Sequence, residues 1–173
     1  MALPDTDTWR IEVPDASALD DVRTFAMQAR TEMFGDRFER GPIPADLKDI
    51  PAVYGGSDGY LRIARREGEI VGTIGYRAYD HRFPQLDLRG ARVVEVVKLY
   101  VRPDQRRQGL ADRLFLGLEA YALANGIKTL YLHTHPYLPG AETFWTRHGF
   151  QVDVRDTDPV WQTIHMSRRL ERT

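Results

Sequence analysis

The apolar positions of this chain switch between a period of two and a period near 3.6, and their order lays out a sequence of strands and helices. "WRIEV", Trp9 to Val13, alternates and predicts a short first strand. Asp15 is placed to cap a helix running to about Phe34, with Leu19, Val22, Phe25, Ala26, Ala29 and Met33 at helical spacing. The following "GDRFERGPIPADLKDIPAVYGGSDG" is broken by prolines and glycines and predicts loop with one short helix near Ala45–Ile50. "YLRIARREGEIVGTIGYRAYD" reads as two antiparallel strands turning at Glu67-Gly68. Arg92 to Val101 is the strongest strand. Its apolar residues do not alternate with polar ones, as expected of a central strand covered on both faces.

From about Arg107 to Ala124, the residues Leu110, Ala111, Leu114, Phe115, Leu118, Tyr121 and Ala122 form a helical stripe closed by Asn125-Gly126. "KTLYLHTH" predicts another strand and "GAETFWTRHG" a short helix ended by Gly149. Two last strands come after it, at about Phe150–Val154 and Val160–Ser167. The pattern gives a mixed α/β sheet with helices on both faces and no internal domain boundary over residues 1–173.

Composition narrows the chemistry. The 24 basic and 25 acidic residues nearly cancel, which argues against a nucleic-acid or membrane-surface partner. With no cysteine, disulfides, thiolate metal sites and a cysteine nucleophile are excluded. "MALPDTDTWRIEV" lacks a basic segment followed by an apolar one, and no apolar run approaches the ~20 residues of a membrane span, so a cytoplasmic location is expected.

The stretch "VVKLYVRPDQRRQGLADRLF", Val96 to Phe115, passes from buried strand through a basic turn into a buried helix. Such a corner offers several free backbone N–H groups at the positive end of a helix dipole, a ready anion site. Gly109 removes a side chain where a phosphate would approach the backbone. The competing reading is a set of solvated arginines around a glycine that only relieves packing. Neither GxxxxGK[ST] nor GxGxxG occurs, which disfavours ATP, GTP and NAD.

"QRRQGLA", Gln105 to Ala111, resembles the [QR]-x-x-G-x-[GA] motif of the GNAT superfamily of acetyl-CoA-dependent N-acetyltransferases, and "AETFWTRHGF", Ala141 to Phe150, is similar to its second motif, A-x-x-F-Y-x-x-x-G-F. The order of elements also resembles that family's along nearly the whole chain. The resemblance implies a single GNAT-like domain with a mostly antiparallel sheet of six to seven strands. It implies that the backbone amides of Arg106, Arg107, Gln108, Gly109, Leu110 and Ala111 hold the pyrophosphate of coenzyme A. It further implies that Leu99, Tyr100 and Val101 pair with the pantetheine arm, at a place where the central strand splays from its neighbour.

Acyl transfer to an amine needs a base. An amine of pKa ~10.4 is free at pH 7 in only about one molecule per few thousand, a cost near ~4.6 kcal/mol. Glu95 is the one carboxylate inside "VVEVVKLYV", where burial is expected to raise its pKa towards a useful range. It stands six positions before Val101, or ~20 Å of strand, comparable with an extended pantetheine arm. That spacing also resembles histone acetyltransferases, whose catalytic Glu stands six residues before the equivalent valine. The competing reading is a Glu paired with Lys98 or Arg92.

Where the family commonly has Tyr as the acid, this chain has Trp145, a poor acid that could instead pack against the cofactor; Tyr137 or a water is left to protonate the thiolate. His133 and His135 share a strand face. His133 is a candidate auxiliary base, whereas two histidines without a nearby carboxylate give no expectation of a metal. His81, His148 and His165 show no pattern and are expected at the surface.

The acceptor groove implied by the resemblance is walled by residues 34–59 and 155–159. These carry Asp36, Glu39, Asp46, Asp49, Asp156 and Asp158 beside Arg37 and Arg40, an acidic lean towards a cationic amine that the arginines blur. The expectation is an N-acetyltransferase using acetyl-CoA on a small-molecule amine, with Glu95 or a water it holds as base. A non-catalytic acyl-CoA-binding or sensing module and a protein N-acetyltransferase are the alternatives. The resemblance also admits a homodimer.

Overall fold

The computed structural model describes residues 9–35, 43–88 and 92–171. Seven strands form one sheet: β1 (Arg10–Glu12), β2 (Tyr60–Arg66), β3 (Glu69–Ala78), β4 (Val93–Val101), β5 (Thr129–Thr134), β6 (Gln151–Arg155) and β7 (Ile164–Arg169), in the spatial order β1-β2-β3-β4-β5-β7-β6. Every neighbouring pair is antiparallel except β4 and β5. The helices are α1 (Leu19–Phe34), α2 (Ala45–Lys48), α3 (Ile50–Tyr54), α4 (Leu110–Ala124) and α5 (Ala141–Arg147). Two details depart from the periodicity: α3 is an additional short helix, capped by Asp49, and β7 inserts between β5 and β6.

The local chemistry accounts for the elements. Asp15 caps a 3₁₀ turn that leads into α1, accepting from the amides of Ser17 and Ala18. Glu67 and Gly68 take φ of 52° and 82°, the paired positive values of a tight hairpin turn between β2 and β3. On α4 the buried residues are Leu110, Leu114, Phe115, Leu118 and Ala122, one stripe down the helix. That stripe seats on β3 at Gly72, where an added Cβ would meet Leu110 Cδ2 and Leu114 Cδ1 at 3.3 Å each. Glycine there lets the start of α4 lie close to the sheet.

Two apolar layers result. One side of the sheet packs on α4 and α5 through Tyr76, Val94, Val96, Phe115, Leu118, Leu130, Leu132, Trp145 and Phe150. The other packs on α1 and α3 through Val22, Leu47, Ile50, Tyr54, Leu61 and Ile63. β4, the most apolar strand, lies between them.

Both edges of β4 are irregular, and the irregularities open a gap in the sheet. Thr73 pairs Tyr100 while Gly75 pairs Val97, so β4 carries one extra residue, a bulge. Within it Lys98 has φ 62°, and its carbonyl accepts from Thr73 Oγ1 at 2.6 Å. On the other edge, β4 pairs β5 only through Val93, Val94 and Glu95, opposite Thr129, Leu130 and Tyr131. Beyond Glu95 the two strands part, which leaves that edge of β4 without a strand partner.

Candidate active site

One end of the gap is made of backbone. After β4 the chain turns through a 3₁₀ segment, Pro103–Gln105, and then through Arg107 and Gly109, with φ of 62° and 87°, into α4. The amides of Gln105 and Arg106 are used in the turn, donating to Arg102 O at 2.8 Å and Pro103 O at 3.3 Å. Among the described residues, the N–H groups of Arg107, Gln108, Gly109, Leu110 and Ala111 donate to no backbone carbonyl. They are the orphan donors of a helix start, extended outward by the positive-φ residues into an anion-binding concavity. An added Cβ at Gly109 would meet nothing within 4 Å. The space above the amides is open, and the requirement for glycine is conformational.

Of the amides expected to face a phosphate, that of Arg106 is therefore spent. Its side chain is committed as well: Nε donates to Val101 O at 2.8 Å, and the guanidinium pairs with Glu32 at 3.3 Å and lies over the Tyr100 ring. Tyr100 packs on Phe25, and its hydroxyl donates a hydrogen bond to Glu32. At the strand end Val101 thus offers an occupied carbonyl, whereas Leu99 stays partly exposed. Arg102 is held by Glu69 and Asp104.

The other end of the gap is made of side chains. Arg77, Glu95 and Tyr131 stand in register across β3, β4 and β5, on the face towards α1 and α3. Glu95 is fully buried. Arg82, on the loop between β3 and β4, grips it with both terminal nitrogens at 2.7 and 2.8 Å, while Arg77 stands 3.6 Å away and His133 Nδ1 3.5 Å away. Burial alone pushes this carboxyl up, but the hydrogen bonds from Arg82 and the charge of Arg77 outweigh it and hold the pKa below the usual carboxylate value. The elevated pKa expected for Glu95 is not found. Its partner is Arg82 rather than Lys98 or Arg92, and both of its oxygens are occupied.

Behind Arg77 lies a second buried carboxylate. Asp46, on α2, accepts from Tyr54 Oη at 2.6 Å and pairs with Lys98 Nζ at 2.9 Å and Arg77 at 3.8 Å. Burial raises its pKa, and Lys98 and Tyr54 more than offset that, so it stays ionised.

The histidines on this face are built into a wall of packed rings. Burial pushes His133 down to about 4, against the opposing pull of Glu95, and its Nδ1 makes no hydrogen bond. His135 Nδ1 donates to Trp161 O at 2.7 Å, which fixes its tautomer. His165, expected at the surface, is fully buried. Asp156 holds its Nε2 at 2.9 Å, and Tyr131 Oη lies 2.7 Å from its Nδ1. His148 is likewise largely buried, bonded to Asp112 at 2.7 Å. Phe34, His135, Tyr137 and Trp161 pack as an aromatic group beyond His133, with Tyr137 stacked on His135 at 5.0 Å.

The structure thus brings Glu95 and His133 together, with Tyr137 one aromatic layer further out. Trp145 lies in the buried layer that packs on α4. It is 7% exposed, wedged among Phe115, Phe144 and Phe150, with almost no surface left for a cofactor. The acidic residues expected to attract a cation are also otherwise employed: Asp49 caps α3, Asp156 holds His165, and Asp158 accepts from the Trp161 amide. Asp36, Arg37, Glu39 and Arg40 lie outside the described residues. Sequence pattern alone does not single out Arg77, Arg82 or Lys98. For Lys98, a cation interrupting an apolar central strand was the available signal.

A search of curated proteins finds no match. Among solved structures, the chain is similar to a GNAT-family acetyltransferase of Staphylococcus aureus (TM-score 0.76, 21% identity, covering 94% of this chain and 99% of that one). It is similar to the PaiA N-acetyltransferase of Thermoplasma acidophilum, solved with coenzyme A (TM-score 0.67, 16% identity, 93% and 98% covered). It also resembles Ard1 of Thermoplasma volcanium (TM-score 0.69, 14% identity, 95% and 99% covered). At these identities the likeness establishes the fold. The model of the acetyltransferase (GNAT) family matches residues 23–150, which include the unbonded amides, the parted strands and the Glu95–His133 contact. The chain therefore belongs to the GNAT family of acetyltransferases.

Proposed function

We propose that this protein moves an acetyl group from acetyl-CoA to the primary amine of a small molecule, with His133 and Glu95 working together on the proton. The observation that carries this reading is the parting of β4 and β5 beyond Glu95, with unbonded amides at one end of the gap and the Glu95–His133 contact at the other. The amides of Arg107 to Ala111 are suited to the pyrophosphate, each charge-assisted bond contributing about 1.5–3 kcal/mol. The unpartnered edge of β4 suits the pantetheine arm, as an added strand. The bound thioester supplies the acyl group: a C–N bond forms, the C–S bond breaks, and the surplus proton of the amine must leave.

His133 is the better acceptor of that proton. Both oxygens of Glu95 already accept from Arg82, whereas His133 is neutral at pH 7 and its side chain is partly exposed, with Nδ1 turned inward to Glu95. Once the amine begins to bond to the carbonyl carbon, its N–H is far more acidic than a free ammonium, and a weak base suffices. The imidazolium then forms 3.5 Å from the Glu95 carboxylate, which stabilises it. Tyr137, near the outer end of β5, is the residue assigned in this reading to return a proton to the departing thiolate.

Calorimetric titration with acetyl-CoA, followed by a thiol-release screen over amines, tests the reading. Absence of binding at millimolar acetyl-CoA ends it. The saturation of Glu95 by Arg82 and the burial of Trp145 favour one other reading, an acyl-CoA-binding module without turnover. It is recognised by tight binding of acetyl-CoA with no thiol released for any amine.

A further inference from the structure

The floor of the gap contains one cation more than its carboxylates need. Asp46 has Lys98 at 2.9 Å and the Tyr54 hydroxyl at 2.6 Å, and Glu95 has the two-pronged grip of Arg82. Arg77 stands between the two carboxylates, at 3.8 and 3.6 Å, and among the described residues it makes no hydrogen bond to either or to anything else. Its side chain is 29% exposed, so the fork is neither sealed in the core nor out in solvent. Asp80, the other acid touching Arg82, is 60% exposed at the rim, where water screens it. A guanidinium has five donors in a plane that matches a carboxylate, and held half-desolvated with none of them bonded it is a recognition element awaiting an anion.

We infer that the acceptor is a small primary amine that also carries a carboxylate, an amino acid, and that Arg77 recognises this carboxylate. The inference rests on the proposed acetyltransfer and names the acceptor class for it. Arg77 and His133 both lie within 3.6 Å of Glu95, one on β3 and the other on β5, the two strands that flank β4. A carboxylate on Arg77 and an amine at His133 are therefore separated by only a few covalent bonds, as in an amino acid. Lys98 and Arg82, already paired, keep Asp46 and Glu95 from repelling the incoming anion. A polycationic amine, by contrast, meets Arg77 and, among the described residues of this floor, no uncommitted carboxylate. The aromatic group of Phe34, His135, Tyr137 and Trp161, next to His133, is the surface on which the rest of the acceptor rests.

Matched acceptors test this: an amino acid, its carboxamide and its decarboxylated amine, for phenylalanine, leucine and arginine, in an acetyl-CoA thiol-release assay on the full chain. The expected result is a kcat/KM for at least one amino acid about ten- to a hundredfold above its two counterparts that lack the carboxylate, a difference located in KM. In Arg77→Gln that ratio falls towards one, and Arg77→Lys restores part of it. A wild-type ratio at or below one overturns the inference while leaving acetyltransfer intact, and so does a peptide with an acidic residue that outcompetes every free amino acid. Turnover of no amine at all, with acetyl-CoA bound, overturns the reading beneath it instead. If Arg77→Gln does not fold, the wild-type ratio and the Lys variant still decide.

Discussion

The two ends of the gap between β4 and β5 are built from different material. The amide corner at Arg107 to Ala111 uses backbone groups whose direction is set by two positive-φ residues and a helix start. The floor at Glu95 uses side chains from α2, β3, β4, β5 and the loop before β4. A backbone site depends on conformation and tolerates most side-chain changes. A side-chain site depends on a closed set of partners, where each removal exposes another charge.

The sharpest way to test this difference is at Gly109. Its φ of 87° admits glycine alone without strain, and glutamate there adds a charge that repels phosphate. Gly109→Glu is expected to weaken acetyl-CoA binding by about a hundredfold or more, the loss of one or two charge-assisted bonds plus repulsion. The left-handed φ strains any other residue there by about 1–3 kcal/mol, and the fold survives that because the corner is exposed and an added Cβ meets nothing within 4 Å. In the same titration Arg107→Ala and Gln108→Ala, which remove only exposed side chains, change affinity by less than about threefold. If these two cost as much as the glycine, the corner binds through side chains and the contrast is lost.

At the floor, His133→Gln is expected to lower kcat by about a hundredfold or more, the range of a lost general base, with acetyl-CoA affinity kept. Arg82→Met is expected to act on stability first. It strands the fully buried Glu95 carboxylate and costs about 3–5 kcal/mol in urea unfolding. The pH dependence comes from His133. Its folded pKa, about 4, lies below the ordinary value, so between pH 6.5 and 4 the unfolded chain binds a proton that the folded chain does not. Stability therefore falls as the pH is lowered through that window, and Tm measured against pH falls less steeply in His133→Gln. A parallel pair of curves would mean that His133 titrates normally.

The same difference explains what was legible in the sequence. The amide corner is encoded by local pattern alone: a β-branched run, a turn, Gly109 and the stripe from Leu110 to Ala122. Glu95 was legible as a lone acid in that run, but its state was not. The pKa expected from burial is reversed by Arg82, which approaches from a loop in which His81 takes a positive φ, and no periodicity encodes that return. His165 was assigned to the surface because a single histidine in a strand carries no local sign of its partners. Its partners, Tyr131 and Asp156, come from β5 and from just beyond β6. Trp145 shows the limit of a motif. It occupies the position where the family commonly has a tyrosine, yet α5 turns it into the core.

That last residue gives the smallest expected effect. If Trp145 faced the departing thiolate, restoring the family's tyrosine by Trp145→Tyr would supply an acid and raise kcat. The indole is instead enclosed by Phe115, Phe144 and Phe150 at ring separations of 5.6, 4.9 and 5.3 Å, and the side chain is 7% exposed. A phenol in that slot is smaller than the indole and brings a hydroxyl into an apolar layer. The cavity and the buried hydroxyl together cost about 2–4 kcal/mol in unfolding. Turnover is expected to change by less than about threefold, because the ring partners of Trp145 are Phe115, Phe144 and Phe150, none of which belongs to the Glu95 floor or the amide corner. Steady-state kinetics beside a urea titration separates the two effects. A clear gain in kcat with little loss of stability would place the ring at the thiolate and displace Tyr137 from the acid's role.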